Sequence, residues 1–168
     1  MALGANDISA TSNINVQTNA CVVLVKTSWN AHITNALEIA CADKLKAHGL
    51  SVFILEVPGA FELPFAIKHY WDMHKYKDCK PDAFIALGCV IKGDTPHFDY
   101  VCKAVTDGIL QLNLSLPIPI IFGVLTVDNE SQALERIGGK HGHKGTEAAA
   151  TALKMIAFIQ SFRQPLKP

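Results

Sequence analysis

Charge is scarce in this chain of 168 residues, of which only 18% are Asp, Glu, Lys or Arg, against a usual share of about 25%. A deficit of that kind suggests that part of the surface is covered by other copies of the chain. The 15 basic and 15 acidic side chains cancel, which argues against nucleic acid, since phosphate backbones are bound by clustered Lys and Arg. No Lys or Arg precedes Lys26, so the first stretch lacks the positive n-region of a secretory leader. No apolar run approaches the roughly 20 residues that span a bilayer. Neither secretion nor membrane insertion is expected. Metal frameworks are missing too: the five cysteines, Cys21, Cys41, Cys79, Cys89 and Cys102, are odd in number and form no CxxC. They read as reduced, mostly buried thiols of a cytoplasmic protein. There is no GxxxxGK[ST], no GxGxxG after a strand and no GxSxG elbow, which removes the common nucleotide cradles and the α/β-hydrolase reading.

What remains is apolar and regularly patterned. At 49% apolar residues, a chain of this length buries roughly 70% of its unfolded surface and needs no staples. Residues 1–20, rich in Asn, Thr, Ser and Ala, read as an arm, with Ile14–Val16 able to add to a neighbour's sheet edge. A single domain is expected over residues 21–162, followed by a tail at 163–168. From Cys21 a repeating grammar begins. Cys21–Val25 is a continuous apolar run of the kind that forms a parallel strand covered on both faces. Helical spacing follows over Ala31–His48, with Gly49 as its stop. Ser51–Val57 is a second strand, and a helix runs from Glu62 to Tyr76 with Pro64 in its first turn. Asp82–Gly88 is the third strand, Pro96–Leu114 a helix, Ile118–Leu125 the fourth strand, Glu130–Ile137 a short helix, and Gly145–Phe162 the last helix. This alternation predicts a flavodoxin-like, three-layer α/β/α fold with a central four-stranded parallel sheet. Ligands of such sheets bind at the carboxyl ends of the strands, where strand order reverses. The loops of interest are therefore Thr27–Asn30, Pro58–Glu62, Cys89–His97 and the one after Leu125.

The third of these carries the clearest chemistry. Thr95 has the makings of an N-cap and Pro96 fits the first helical position. Backbone amides of the Gly93-Asp94-Thr95 turn would then face an anion, best a phosphate. His97, in the first helical turn, lies where it can exchange protons with a substrate; the plainer reading is a His that merely starts a helix. Arg136 and Lys144 could bring cationic ligands to the same phosphate, or could be ordinary solvated charges. Trp29 and Phe61 stand where a ring could cover a planar heterocycle, or could pack at an edge. His141 and His143 read as an exposed turn more readily than as a zinc site, which wants four ligands.

Taken together, five segments resemble lumazine synthases: Thr27-Ser-Trp-Asn30, Val57-Pro-Gly-Ala-Phe-Glu-Leu-Pro64, Leu87-Gly-Cys-Val-Ile-Lys-Gly-Asp-Thr-Pro-His-Phe-Asp-Tyr100, Pro119-Ile-Ile-Phe-Gly-Val-Leu-Thr126 and Gly139-Lys-His-Gly-His-Lys-Gly-Thr-Glu-Ala-Ala149. The resemblance runs from about Cys21 to Phe162. It implies the penultimate step of riboflavin biosynthesis, the condensation of 5-amino-6-(D-ribitylamino)uracil with 3,4-dihydroxy-2-butanone 4-phosphate, without cofactor or metal. It implies that Trp29 stacks on the pyrimidine, that Ala60, Phe61 and Glu62 hold the ribityl chain, and that Cys89, Val90 and Ile91 contact the uracil ring. By the same resemblance Asp94 and Thr95 fall on the phosphate turn, His97 is the proton carrier, and Arg136 is the phosphate clamp. Phe122, Arg136 and Lys144 match residues that the family contributes from a neighbouring subunit. The implied unit is a homopentamer, and the short Gly138–Gly145 loop resembles members that build a hollow icosahedral shell of twelve pentamers.

Three positions depart from the family pattern. Ser28 stands where an Arg often precedes the stacking aromatic, Asp94 puts a carboxylate at the phosphate turn, and His143 replaces a frequent Asn. Two rival readings are a non-catalytic relative that only holds lumazine or flavin, and a flavodoxin-like electron carrier. Against the first stands the His97, Arg136 and Lys144 set; against the second, the shortness of the first loop.

Overall fold

The computed structural model of the chain describes residues 11, 14, 16 and 19–162; the expected tail and most of the expected arm lie outside the described residues. In chain order the elements are β1 (Cys21–Thr27), α1 (Ala31–Ala47), β2 (Ser51–Val57), a 3-10 turn (Ala60–Glu62), α2 (Leu63–His74), β3 (Ala83–Ile91), α3 (His97–Ser115), β4 (Ile120–Val127), α4 (Glu130–Leu134), β5 (Ile137–Gly139), β6 (Gly142–His143) and α5 (Lys144–Ser161). The first four strands form one parallel sheet in the order β2-β1-β3-β4, the α/β three-layer fold that the alternation predicts.

Side-chain alternation along the strands builds two cores. Val22 and Leu24 of β1, Ile85 and Leu87 of β3, and Ile121 and Leu125 of β4 face α1 and α5, where Ile33, Leu37, Leu153 and Ile156 meet them. Their neighbours Val23, Val25, Phe84, Ala86 and Val124 turn to the opposite face, against Ile67 and Trp71 of α2 and Val105 and Ile109 of α3. A strand covered on both faces favours apolar residues, which is why Cys21–Val25 reads as an unbroken apolar run; the strand is buried along its full length, Lys26 and Thr27 included. Of the arm residues that are described, Val16 and Ala20 are buried in the α1 and α5 layer and Ile14 packs against it.

Several boundaries differ from expectation, each for an identifiable reason. β3 does not stop at Gly88: its ladder with β4 continues through Cys89↔Leu125 to Ile91↔Val127, so Cys89, Val90 and Ile91 are strand rather than loop. β4 correspondingly begins and ends two residues later than the pattern suggests. The helix expected from Glu62 to Tyr76 opens with the 3-10 turn and ends at His74. The short helix closes at Leu134, and the glycine-rich stretch after it folds back as the antiparallel pair β5–β6. Gly49, with φ 79°, does follow α1 as its stop.

The buried charge of β1 is also explained. Lys26 contacts Glu38 at 2.8 Å, Glu56 at 3.2 Å and Asn35 at 2.5 Å, so one ammonium joins β1, β2 and α1. Thr34 of α1, itself buried, donates to the Thr27 carbonyl at 2.8 Å. Both contacts fix the carboxyl end of β1 against the first helix.

The two helices of the α1 layer approach closely at Gly145. A Cβ built there would lie 2.2 Å from the Leu37 carbonyl oxygen and 3.0 Å from its carbon. Backbone cannot rotate aside as a side chain would, so Gly145→Ala must push α5 off α1, an overpacking cost of about 2–3 kcal/mol. The urea midpoint of that variant should fall accordingly, while an unchanged midpoint would mean that the two helices are free to slide.

Candidate active site

β1 and β3 part company before β3 ends. Their last rung is Lys26↔Leu87, yet β3 runs four residues further along β4. Beyond that rung, at the carboxyl ends of the two strands flanking the reversal in strand order, lies a cavity of about 500 Å³. Its walls come from three of the four predicted loops; the one after Leu125 lines a different cavity. Thr27 ends β1, and Trp29 and Asn30 follow it; Gly59, Ala60, Phe61 and Glu62 follow β2; Cys89, Val90, Ile91, Gly93, Thr95, His97, Phe98 and Val101 run from β3 into α3.

Local chain forces produce each wall. Ser28 N and Trp29 N donate to the carbonyls of Val57 and Pro58 at 2.8 and 3.1 Å, which carries the first loop alongside the second. Trp29 is 73% exposed and Phe61 65%, so two large rings face the cavity mouth with little protein over them. Gly59 allows this closeness: a Cβ there would stand 3.1 Å from a Glu62 carboxylate oxygen and 3.8 Å from the Trp29 ring. On the third wall, α3 begins at His97. Thr95 is not its cap as expected; Pro96, with φ −61°, occupies that place, because the first return bond runs from Asp99 N to the Pro96 carbonyl at 3.0 Å. No side chain caps the helix, so its first amides are left for water or a ligand. Gly93 and Thr95 line the cavity and Asp94 does not.

Cys89 belongs to this wall as a packing group. Burial, reinforced by the nearby charge of Glu130, pushes its thiol up to about 11. Cys21 and Cys41 are raised likewise, to about 11 and about 12, chiefly by burial. All five cysteines are unpaired, and a thiol raised so far is a poor nucleophile at neutral pH.

The remaining predicted residues stand elsewhere. Arg136 and Lys144 line a separate cavity of about 560 Å³ bounded by Val124–Val127, Gln132, Glu135 and His141. Phe122 and Lys144 border another of about 320 Å³ with Glu147 and Thr151. Within one chain, then, the basic residues do not share the His97 cavity. The Arg136 guanidinium is held rather than free. It donates to both Glu147 oxygens at 3.2 Å and to the His141 carbonyl at 2.5 Å, while Lys144 approaches Glu147 at 3.5 Å. Glu147 was legible only as part of a motif, without a role, and its position three residues from Lys144 is the signal that points to it. Asn30, Phe98, Val101 and Gly59 likewise received no role from the sequence, although Phe98 and Val101 share the apolar face of α3.

These segments are those of a known family. A model of 6,7-dimethyl-8-ribityllumazine synthase matches residues 19–160. A protein of that name from Porphyromonas gingivalis is 52% identical over 130 residues, covering 76% of this chain and 78% of the relative. Another from Bacteroides fragilis is 47% identical over 144 residues, 84% of this chain and 97% of the relative. A third, from Bdellovibrio bacteriovorus, is 44% identical over 147 residues, 87% and 79% of the two chains. The chain belongs to the lumazine synthase family. It is an enzyme of riboflavin biosynthesis, a transferase, and among its described residues no helix is long and apolar enough to cross a membrane.

Ser28 and the two histidines of the glycine-rich stretch make contacts of their own. Ser28 turns its hydroxyl to the Pro58 carbonyl at 3.2 Å. His141 pairs with Glu135 at 3.2 Å, and His143 accepts from Gly145 N at 3.2 Å through Nδ1, which caps α5. Burial, only partly offset by Glu147, holds the His143 imidazole below its ordinary 6.5. Folded and unfolded chains both carry it neutral above that value, so the cap contributes fully there. As pH falls below it the unfolded chain takes up the proton first, and stability declines. His143→Asn, which caps without titrating, should therefore gain on the native chain between pH 7 and pH 5 when urea midpoints are compared. A constant difference across that range would remove the titration from the account.

Proposed function

We propose that this chain condenses 5-amino-6-(D-ribitylamino)uracil with 3,4-dihydroxy-2-butanone 4-phosphate, yielding 6,7-dimethyl-8-ribityllumazine, inorganic phosphate and water. The observation that carries the reading is the meeting, in one cavity at the strand-order reversal, of an exposed indole, an uncapped helix start and an imidazole.

Each wall suits one part of the reactants. Trp29 stacks on the pyrimidine, whose edge meets the backbone of Cys89, Val90 and Ile91, and Ala60, Phe61 and Glu62 follow the ribityl chain. The amides of Asp94 and Thr95 and the start of α3 cradle the phosphate, with the Asp94 carboxylate turned away. Condensation starts with attack of the pyrimidine amine on the ketone and loss of water to form an imine. Elimination of phosphate follows, and attack of the ribityl-bearing nitrogen on the remaining carbonyl closes the ring with loss of a second water. These steps need proton transfer at one place, which His97 supplies, and neutralisation of the departing oxyanion. Holding the two reactants together contributes as much as about 7–11 kcal/mol. No cofactor or metal enters this scheme.

The phosphate clamp comes from a second copy. Arg136 and Lys144, apart from His97 in their own chain, complete the site of the adjacent subunit together with Phe122. The family resemblance makes this unit a homopentamer, cytoplasmic like its reduced thiols, and the short β5–β6 hairpin resembles that of members that build the icosahedral shell of twelve pentamers. A binder that lacks catalysis has no use for a proton carrier beside a phosphate clamp.

Mixing the protein with both substrates should produce lumazine fluorescence. His97→Ala should lower kcat by about 10²-fold without abolishing it, and Arg136→Ala should cost about 10³-fold in kcat/KM through loss of the oxyanion clamp. If neither variant slows, the roles are wrong. Light scattering checks the assembly: a particle of pentamer size would end the shell reading, and a monomer would end the shared site.

A further inference from the structure

We propose that Asn30 is a positioning residue that holds the indole wall and the β3 wall of the cavity at a fixed separation. Its backbone is the first observation. Asn30 lies at φ 57°, ψ 45°, and among the described residues no other non-glycine has positive φ. Asn tolerates this left-handed region better than most residues. The conformation turns the chain sharply from the Trp29 loop into α1, and the Asn30 carbonyl accepts from Ile33 N and Thr34 N at 2.9 and 3.1 Å.

Its side chain is the second. Asn30 Nδ2 donates to the Cys89 carbonyl at 2.9 Å. That carbonyl lies two residues beyond the last β1–β3 rung, Lys26↔Leu87, where β1 no longer offers a donor to β3. The amide thus replaces the missing rung and spans the gap that the cavity occupies. Trp29, the preceding residue, is tied on its other side to Pro58. Fixing Asn30 therefore fixes the backbone that carries the Trp29 indole relative to the backbone edge at Cys89, Val90 and Ile91. A planar ligand stacked on the indole must reach that edge with its polar groups, so the amide sets both distances at once.

The inference presupposes that the cavity takes the ribitylaminopyrimidine, but its first test does not. In a Trp71→Phe background Trp29 is the sole indole of the chain, which has two tryptophans. Asn30→Asp keeps the shape and the tolerance of positive φ while removing the donor, and Asn30→Gly frees the backbone and deletes the side chain. Both should lower the fluorescence anisotropy of Trp29 in the ligand-free protein. In steady-state assays both should raise KM for the pyrimidine about tenfold, the loss of one good hydrogen bond, with kcat within about threefold. Unchanged anisotropy in Asn30→Asp would overturn the proposal, leaving Asn30 a backbone turn only, as would a loss confined to kcat. Should the native protein bind no pyrimidine, the functional reading fails while the anisotropy comparison still decides the role of Asn30.

Discussion

The site depends on where two parallel strands stop pairing. A parallel ladder satisfies the backbone of both partners, and any stretch beyond its last rung must find other donors. Here β1 and β3 separate after Lys26↔Leu87 while β3 remains supported by β4 as far as Ile91. The extension is rigid on one side and open on the other. It is this half-paired strand end, and not a hole in the packing, that offers backbone polar groups to the cavity. Thr34 on the Thr27 carbonyl and Lys26 with Glu38 and Glu56 hold β1 still at the same point, so the opening has firm edges.

Charge placement follows from that geometry. The cavity itself holds little cationic character beyond the helix start and His97. The guanidinium that a phosphate would call for lies on the opposite flank, spanned between Glu147 and the His141 carbonyl. Such an ion pair, still about a fifth to a third exposed, contributes only modestly to stability. It costs little to expose to a neighbour and keeps the planar fork in one orientation. On the proposed reading, a chain whose anion-binding groups lie on two faces would need a second copy to close its site.

Much of this was legible before any coordinates. The apolar run Cys21–Val25 of β1 and the helical spacing of α1 and α3 are direct consequences of two-faced burial and one-faced burial, and the sequence displays both. The end of β3 was not: Gly88 looks like a stop in sequence, but a glycine within a ladder is tolerated when the partner strand continues, as β4 does. The cap of α3 was misplaced for a related reason, since Thr95 has the right chemistry but Pro96 already has helical φ and its carbonyl closes the first turn. Pairing of Arg136 with Glu147, eleven residues apart, needs the β5–β6 hairpin to bring the ends of the segment together, and no local pattern announces that. Nor does a single Asn announce a left-handed residue.

The exposed apolar side chains close the argument. Trp29, Phe61, Phe65, Phe53 and Ile54 are all substantially exposed, on or beside the edge formed by β2, its following turn and α2. Scattered apolar exposure is ordinary, but several large rings along one edge, in a chain with few charges, exceed what a free monomer usually presents. A strand edge of this composition left open would also invite uncontrolled pairing. Covering it with another copy of the chain removes both liabilities, and it brings a protein surface to the mouth of the cavity where Trp29 and Phe61 stand. The same burial that stabilises an assembly would therefore exclude water from the cavity where the proposed condensation takes place, which would tie the shortage of surface charge to that chemistry.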